Sequence, residues 1–450
     1  MSDLGALTAR VQGDAARIRE ELERLVRIPS VSFEGFDPAA VQESAEATAD
    51  ILRAAGCPEV RLLELDGAPP AVFAHVPGPE GAPTVLLYAH HDVQPPGADD
   101  LWETPPFEPA ERDGRLFGRG TCDDKAGVVV HAAAVRAWEG RPPVAVKIFV
   151  EGEEEAGSPN LARFLEAFGD QLSADVIVLA DASNWDTGVP GLTTTLRGLV
   201  DCVVEVRVAD HAVHSGMYGG PAPDAILALA RLLSTLHDEL GNVAIPGLVT
   251  GEPPAADLTE EEYRADLGAR PGLQLIGEGT ITERLWARPA LSVLGVDAPR
   301  VREASNQIVP VARAKLSLRI APGDDPHRAQ DALVKHLEAN APWGVDVRVT
   351  PGGAGEPYRV RADGPVYDAA RRAFREAWGT DPVDMGAGGS IPFVADFAER
   401  WPAAALLLTG VEDRLGRAHA ENESVDLREL ERACLAEALL LQYVAATVRP

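Results

Sequence analysis

The chain has 450 residues, more than one hydrophobic core usually organises, so its length favours two domains over one. Hydrophobic residues make up 46% and charged residues 25% of the chain, a composition that excludes wholesale disorder. The 41 basic and 70 acidic side chains give a net charge of −29, which repels nucleic-acid backbones and anionic lipid surfaces. We therefore expect no nucleic-acid partner.

Neither a membrane segment nor a disulfide framework is indicated by the sequence. No apolar run approaches the roughly 20 residues that cross a bilayer, and the first residues lack the basic start and apolar middle of a signal peptide. The four cysteines are scattered without a CxxC pair, which argues against a thiolate zinc site. The sequence thus predicts a cytoplasmic protein with no membrane partner, in which histidines and carboxylates hold any metal.

The chain begins with apolar residues at helical spacing and continues with alternating strand and helix signals. Leu22, Leu25 and Val26 share one helix face, and this helix should end just before Pro29, because proline disfavours helical geometry in its predecessor. Four short apolar runs are typical of buried strands, at 84–89, 144–150, 174–180 and 403–410. Such strands alternating with helices predict an α/β fold with a mostly parallel sheet flanked by helices.

A second pattern occupies the middle of the chain. From about Thr195 the order is strand, helix, a Pro/Glu-rich stretch, strand, helix and strand, a β-α-β-α-β unit large enough to be an inserted domain. We therefore predict a catalytic domain in two parts, 1–194 and 355–450, interrupted by a domain at 195–354.

Polar clusters follow the four apolar runs, where ligand sites of open α/β sheets lie. After the first run comes His90-His91-Asp92, after the second the acidic run 151–155, after the third Asp181, and nine residues past the fourth His419. A glycine-punctuated loop, GRGTCDDKAG at 118–127, precedes a helical stretch. We expect two imidazoles and at least three carboxylates to converge on one crevice.

So many carboxylates in one crevice are unfavourable unless a cation neutralises them, because each unpaired, desolvated carboxylate costs several kcal/mol. Nitrogen and oxygen ligands without sulfur suit zinc, with cobalt or manganese as alternatives. Two such ions about 3.5–4 Å apart need a carboxylate that bridges them. The cluster therefore predicts a site for two metal ions.

Seven motifs, spread over nearly the whole chain, carry a family resemblance. In order they are YAHHDVQP, GRGTCDDKAG, EGEEEAGS, the strand-ending Asp181, DHAVHSG, GGSIPF and AHAENE. Together they resemble metallopeptidase family M20, and most closely its dipeptidase and carnosinase-type branch. The resemblance implies a phosphorylase/hydrolase-like catalytic domain interrupted by an α+β lid and dimerisation domain, and hence a homodimer.

The resemblance also implies the ligands of two zinc ions in each subunit. His90 and Asp181 would bind one ion, Glu155 and His419 the other, and Asp123 would bridge them. The peptide bond that follows the bridging aspartate is cis in the family.

Two acidic residues beside the ligands receive roles from the resemblance. Asp92 would accept a hydrogen bond from the His90 imidazole and fix its tautomer. Glu154 would be the general base that activates a metal-bridging water. Its distinction from Glu155 depends on the spacing to Gly157, which favours 154 as base and 155 as ligand.

The remaining site residues implied by the resemblance bind the substrate or stabilise the reaction's charge. His214 would reach into the partner's site and stabilise the oxyanion. Arg319 would pair with the substrate's terminal carboxylate through its planar fork, and Asn306 would add a polar contact. Gly389 and Ser390 would present backbone and hydroxyl groups to the substrate.

The function that the resemblance implies is a two-zinc metallopeptidase for dipeptides or short peptides with a free C-terminal carboxylate. Two alternatives stay open: an amidohydrolase that deacylates N-acyl amino acids, and a non-catalytic binding relative. Retention of Glu154 and all five ligands argues against the second. One departure weakens the transfer of substrate: Gly386-Ala387 stands where many relatives of this branch carry Arg-Glu.

Overall fold

The computed structural model describes residues 4–389 and 392–448. It divides into two compact units. The first unit comprises Met1–Thr194, Arg361–Met385 and Asp396–Pro450, and the second comprises Thr195–Val360 and Gly386–Ala395. The second unit and the predicted inserted domain, 195–354, begin at the same residue; the lid and dimerisation roles of that domain stay predictions.

Twelve α-helices lie in the described part of the chain. They are α1 (Leu4–Gly13), α2 (Ala15–Val26), α3 (Pro38–Ala54), α4 (Lys125–Ala137), α5 (Leu161–Leu172), α6 (Ser215–Tyr218), α7 (Ala225–Leu233), α8 (Glu260–Leu267), α9 (Pro326–Ala339), α10 (Pro365–Trp378), α11 (Pro392–Arg400) and α12 (Leu427–Thr447). None of these described helices combines the length and the apolar character that a membrane crossing requires.

The described strands number eighteen. They are β1 (Glu59–Leu63), β2 (Ala71–Val76), β3 (Thr84–His90), β4 (Ala110–Arg112), β5 (Arg115–Phe117), β6 (Ala145–Glu151), β7 (Val176–Leu179), β8 (Gly191–Leu196), β9 (Gly198–Arg207), β10 (Val213–His214), β11 (Ala290–Asp297), β12 (Gln307–Ile308), β13 (Val311–Ile320), β14 (Asp346–Gly355), β15 (Tyr358–Arg359), β16 (Val383–Ala387), β17 (Ala405–Leu408) and β18 (Ser424–Asp426).

The predicted α/β fold is confirmed, and the four predicted apolar runs form the centre of its main sheet. β6, β3, β7 and β17 are neighbours in that order and pair in parallel. Pairing is antiparallel outside this centre, where β2 joins β6 and β8 joins β17. The central strands are apolar and almost wholly buried, because helices cover both faces of a parallel sheet. Their carboxyl ends therefore meet at one edge.

Helix α4 starts at the loop that carries Asp123. The Asp124 side chain accepts a hydrogen bond from the Gly127 N–H and caps the first turn, satisfying a backbone donor that the helix leaves free. All residues of α4 except Arg136 are buried. The cap and the burial together fix the position of the loop before the helix.

The second unit is built on a four-stranded antiparallel sheet in the order β11-β13-β9-β14. Buried residues alternate along β9, and this face packs with α7 and α9 into one core that includes Val204, Leu229 and Leu333. The sequence predicts β9, α7, β13, α9 and β14. It misses β11, because this edge strand is largely exposed and so lacks the apolar alternation that marks a half-buried strand.

Candidate active site

The ends of the parallel strands bring the predicted polar residues together in the first unit. His90 is the last residue of β3 and stands opposite Glu151, the last residue of β6. The run that contains Glu154 and Glu155 follows β6, and Asp181 follows β7 two residues after its end. The sheet therefore gathers residues that are up to about ninety positions apart in the chain.

His90 lies among three carboxylates. Its Nε2 atom is 3.1 Å from Asp123 Oδ1, 3.8 Å from Asp181 Oδ1 and 3.9 Å from Glu154 Oε2. Its Nδ1 atom donates to the main-chain oxygen of Asp92 at 3.1 Å. Because Nδ1 is used by this hydrogen bond, Nε2 is the ring atom that could bind a metal ion on the carboxylate side, as in a metal-ligating imidazole.

His419 lies on the other side of Asp123. Its Nε2 atom is 2.9 Å from Asp123 Oδ2 and 3.2 Å from Glu155 Oε2. Asp123 thus turns Oδ1 toward His90 and Oδ2 toward His419. One carboxylate that faces two imidazoles has the arrangement of a ligand shared by two ions.

This cluster, the candidate metal centre, consists of His90, Asp123, Glu154, Glu155, Asp181 and His419. Two overlapping groups, His90-Glu154-Asp181 and His90-Asp123-Glu155, could each hold a metal ion. Within each group the ligand atoms lie within 4.8 Å of one another. Ligands about 2.0–2.1 Å from a tetrahedral zinc ion are separated by about 3.3 Å. The donor types and spacings therefore fit divalent metal ions.

Without a cation, the buried carboxylates of the candidate metal centre repel one another. Burial, together with the nearby Asp181 carboxylate, raises the pKa of Glu154 well above its usual value. Burial and the charge of Asp123 raise the pKa of Glu155 to about 7. The Asp123 and Glu155 carboxylates raise the pKa of His419 to about 11. Divalent ions would relieve this repulsion by pairing with the carboxylates.

Asp92 holds the acidic run in place rather than contacting only the imidazole. Its two carboxylate oxygens accept the backbone N–H groups of Glu154 and Glu155, each at 3.1 Å. The Ser32 hydroxyl also donates to it at 2.7 Å. His90 Nδ1 lies closer to the main-chain oxygen of Asp92 than to the carboxylate, which is 3.4 Å away. The main chain of Asp92 thus orients the imidazole, and its side chain orients the two glutamates.

The sequence analysis misses two residues that support the ligands, although both lie inside the motifs it quotes. Gln94 donates from its backbone N–H and from Nε2 to the two carboxylate oxygens of Glu155, at 3.0 and 2.8 Å. Glu423 is fully buried, pairs with Arg119 at 2.7 Å and accepts the backbone N–H of Cys122 at 2.9 Å. Motif membership is the only sequence signal that could have found them.

The loop that Glu423 holds also carries Asp123. Its carboxylate accepts the N–H groups of Gly120 at 2.9 Å and Asp123 at 3.3 Å. The peptide bond between Asp123 and Asp124 is cis, as the resemblance implies. A buried carboxylate that accepts several backbone N–H groups has its hydrogen bonds satisfied. Glu423 therefore holds this loop without the help of a metal ion.

His91, although adjacent to His90, does not face the candidate metal centre. Its Nε2 atom donates to the main-chain oxygen of Pro70 at 3.0 Å. Burial lowers its pKa to about 4, which keeps the ring neutral. The alternation of side chains along an extended segment explains why two consecutive histidines point to different sides.

The residues predicted in the inserted domain lie in the second unit. His214 and Asn306 are exposed near the short ribbon formed by β10 and β12. Arg319 is half-buried near the end of β13, and burial lowers its pKa. Gly389 is exposed, with no described heavy atom near the position of a Cβ. Ser390 lies outside the described residues.

Strand-end placement, paired carboxylates and two imidazoles on an α/β scaffold define a metallohydrolase. Residues 86–443 match the family described as "Peptidase family M20/M25/M40". The chain belongs to this family of peptidases.

Curated relatives and solved structures agree with this assignment. The chain is 36% identical over 370 residues to the cysteinylglycine-S-conjugate dipeptidase of Corynebacterium striatum, a match that covers 80% of this chain and 81% of that protein. Human carnosine dipeptidase 1 superposes with a TM-score of 0.83 at 27% identity, over 99% of each chain. The di-peptidase Dug1p from Saccharomyces cerevisiae shares the fold, with a TM-score of 0.85 at 24% identity over 99% of this chain and 100% of that one.

Proposed function

We propose that this chain is a two-zinc metallopeptidase that hydrolyses dipeptides or short peptides with a free C-terminal carboxylate. The observation that carries the proposal is Asp123, whose two oxygens face the two imidazoles of His90 and His419. The names of the relatives support the substrate class, since they include a cysteinylglycine-S-conjugate dipeptidase and a carnosine dipeptidase.

In this proposal five side chains hold two ions. His90 and Asp181 bind one, Glu155 and His419 bind the other, and Asp123 is shared. Nitrogen and oxygen donors without sulfur suit zinc, with cobalt or manganese as alternatives. When bound, such ions lower the pKa of water and polarise a carbonyl oxygen.

Glu154 is the proposed general base. It lies beside His90 Nε2 but is not needed to complete either set of ligands. Its carboxylate would take the proton of the attacking water and pass it to the leaving amine.

His214 is the proposed oxyanion donor, supplied by the second subunit of a dimer. The Gly216 N–H donates to His214 Nδ1 at 3.1 Å, so the proton of the neutral ring is on Nε2. The side chain is exposed, and its Nε2–H therefore points a donor outward from the second unit. Such a donor stabilises the charge that develops on a tetrahedral intermediate.

Arg319 is the proposed partner of the substrate's terminal carboxylate, with Asn306 and Gly389 as further contacts and Ser390 as a hydroxyl donor. A planar guanidinium can hold a carboxylate through two parallel hydrogen bonds. Burial of Arg319 strengthens such a pair, because the surroundings screen it less than water does.

The homodimer is proposed to form through the second unit. β11 is the edge strand of the four-stranded sheet, and it exposes three large apolar side chains, Val293, Leu294 and Val296. Exposed apolar edge strands pair readily with another chain. The cytoplasmic location stays a prediction.

The test is metal content together with a substrate panel. The purified protein should contain about two zinc ions per chain and should hydrolyse dipeptides faster than N-acetyl amino acids. Chelation should abolish the activity, and added zinc should restore it. Less than about one metal ion per chain, or faster hydrolysis of the N-acetyl compounds, would contradict the proposal.

A further inference from the structure

Lys125, two residues after Asp123, is a fully buried lysine of the first unit. It is the first residue of α4, where a positive charge is unfavourable because the N-terminal end of a helix is itself positive. Burial of an ammonium group is also costly. Residues that break local rules in this way are expected where a structure supports function. The position of Lys125 therefore needs an explanation outside its own helix.

The ammonium group of Lys125 caps a helix that lies much earlier in the chain. Nζ donates to the main-chain oxygens of Leu25 at 2.8 Å and Ile28 at 2.7 Å. Leu25 belongs to the last turn of α2, where the final carbonyl groups of a helix lack partners and the helix dipole favours a cation. Lys125 thus fixes the end of α2 against the start of α4.

The path of the Lys125 side chain is narrow. A Cβ atom on Gly120 would lie 3.0 Å from Cδ of Lys125 and 2.7 Å from a methyl group of Val93, so the glycine leaves the space through which the lysine stem passes. Only four of the 41 basic residues are lysines, so arginine is the usual basic residue of this chain. At position 125 the space suits a slender stem and a compact ammonium group rather than a planar guanidinium.

Segment 28–32, the stretch that follows this cap, contacts the residues after β3. Ser30 is fully buried, and its hydroxyl donates to the main-chain oxygen of His91 at 2.6 Å. The main-chain oxygen of Ser30 accepts the N–H of Val93 at 3.0 Å. These two hydrogen bonds fix the main chain on both sides of Asp92.

Ser32 extends the contact of segment 28–32 to the candidate metal centre. Its hydroxyl donates to one carboxylate oxygen of Asp92 at 2.7 Å. The Asp92 carboxylate in turn accepts the backbone N–H groups of Glu154 and Glu155. A series of hydrogen bonds therefore connects the segment that Lys125 caps to the two glutamates.

We propose that Lys125 is a positioning residue, which holds the candidate metal centre in its metal-binding geometry through segment 28–32. This inference rests on the proposed function, because that function supplies the metal ions. Residues that hydrogen-bond to metal ligands change metal affinity or activity by about 10- to 100-fold when they are replaced. Lys125 acts one step further from the metal, because it fixes the segment that orients Asp92.

The first experiment compares the zinc affinity of Lys125→Met with that of the wild type. Methionine keeps an unbranched stem but loses both hydrogen bonds. Competition with a chelator, under conditions where circular dichroism shows both proteins folded, should give a Kd for zinc that is about 10- to 100-fold higher in the variant. The visible absorption of the cobalt-loaded variant should also change, because the ligands are placed differently. A folded variant with wild-type affinity and spectrum would overturn the inference.

Lys147→Met is the matched control. Lys147 is on β6, and its Nζ also donates to a main-chain oxygen, that of Ser173 directly after α5, at 2.6 Å. This control loses a lysine and its hydrogen bond in the same unit, but at another place. It should keep the zinc affinity and the cobalt spectrum of the wild type. Equal losses in Lys125→Met and Lys147→Met would indicate general destabilisation and would overturn the positioning role.

Ser32→Ala tests the route through segment 28–32, and it keeps the inference testable if Lys125→Met folds poorly. It should raise the Kd for zinc by a smaller factor than Lys125→Met, because the cap of α2 remains. In the double variant the two fold-changes should combine to less than their product, because both residues act through one segment. Fold-changes that multiply, or an unchanged affinity in Ser32→Ala, would overturn this route.

Failure of the proposed function gives a different pattern of results. A wild-type protein that binds zinc but hydrolyses no peptide contradicts the proposed function, and the affinity comparison still decides the role of Lys125. Peptide hydrolysis together with an unchanged zinc affinity in folded Lys125→Met contradicts this inference alone. A wild-type protein that binds neither zinc nor cobalt contradicts both.

Discussion

The candidate metal centre of the first unit and a cavity of the second unit, whose wall includes Arg197, Arg284 and Arg288, have opposite charge imbalances. In the first, carboxylates outnumber imidazoles, and burial with like charges raises the pKa of Glu155 to about 7. In the second, no aspartate or glutamate is among the described lining residues, although Glu283 lies 3.9 Å from Arg288. Burial and then the nearby Arg319 lower the pKa of Arg197 to about 10. The first imbalance favours the protonated form of Glu155, and the second favours the neutral form of Arg197.

The comparison teaches how to infer a ligand's charge from the residues that surround it. A protein does not keep several like charges in a buried place without a counter-charge, because desolvation and repulsion add. Carboxylates at the first site indicate cations, and guanidinium groups at the second indicate an anion.

The largest effect is expected when Glu154 is replaced, because Glu154 is the proposed general base and is not required as a metal ligand. Glu154→Gln should reduce kcat by up to about 10⁴-fold, because the amide cannot accept a proton. Bound zinc should stay near the wild-type amount, since the five ligands remain. Turnover of a dipeptide and metal content by mass spectrometry measure the two quantities on the same sample.

The matched control is the preceding glutamate. Glu153 accepts the backbone N–H of Asn160 at 2.9 Å and its Nδ2 at 3.0 Å, and it is not part of the candidate metal centre. Glu153→Gln should therefore keep most of the activity. If Glu154→Gln loses metal as completely as Glu155→Gln does, the roles of the two glutamates are the reverse of those proposed.

The next effect concerns the second unit. His214→Ala should reduce kcat by about 10²- to 10³-fold with little change in metal content, because a missing oxyanion donor costs about this much. His211→Ala is the control, since His211 is an exposed histidine three residues earlier. Steady-state kinetics on one dipeptide compare the two variants with the wild type.

Mixing variants decides which subunit supplies His214. An Asp123→Ala chain lacks the shared ligand, and a His214→Ala chain lacks the donor, so a mixed dimer has one intact site if the donor crosses the interface. Activity should then reappear after the two inactive proteins are mixed and allowed to exchange subunits. Inactive mixtures in which mixed dimers are demonstrated would place His214 in the site of its own subunit.

A smaller effect tests the support beneath the metal centre. Asp92→Asn should reduce activity or zinc affinity by about 10- to 100-fold, because the amide can accept only one of the two backbone N–H groups of Glu154 and Glu155. Zinc affinity by competition with a chelator and kcat at saturating zinc separate the two contributions. Asp100→Asn, on the exposed segment before Trp102, should leave both unchanged; equal behaviour of the two variants would contradict the positioning role of Asp92.

The fold and the strand-end residues were accessible from the sequence because both follow from local patterns. Four apolar runs become the four central parallel strands, and His90 and Asp181 follow from the rule that ligands lie at strand carboxyl ends. The edge strand β11 was missed because its exposed residues leave no buried alternation. The pattern of apolar residues therefore predicts strands and helices that bury one face, and it misses those that are largely exposed.

Supporting contacts were inaccessible for a different reason. Gln94 and Arg197 are ordinary polar residues in the sequence, and their importance comes from neighbours that tertiary structure supplies, Glu155 for the first and the carbonyl oxygens of Gly388 and Arg288 for the second. No spacing rule connects residues that are 61 positions apart in the first case and 91 and 191 positions apart in the second. The roles of His214 and Asn306 came from the resemblance alone, because an exposed side chain carries no signal of its use.

The smallest expected effect concerns a buried carboxylate that belongs to neither site. Burial raises the pKa of Glu151 to about 8, although the Tyr88 hydroxyl donates to it at 2.7 Å. Between about pH 4.5 and about pH 8 the folded chain keeps a proton that the unfolded chain releases. The contribution of Glu151 to the free energy of unfolding therefore falls as pH rises through that window, by at most about 1.4 kcal/mol per pH unit.

Glu151→Gln removes this ionisation and should flatten the pH dependence. The urea midpoint of the zinc-loaded protein, measured at about pH 5 and about pH 8, should fall less in the variant than in the wild type. Glu43→Gln, an exposed change on α3, should reproduce the wild-type fall. Because the other titrating groups are common to all three proteins, their contributions cancel in the comparison. A variant that loses as much stability as the wild type would mean that Glu151 is ionised in the folded chain throughout this range. Burial would then not keep Glu151 protonated, and Glu151 would be a charged buried carboxylate like those of the candidate metal centre.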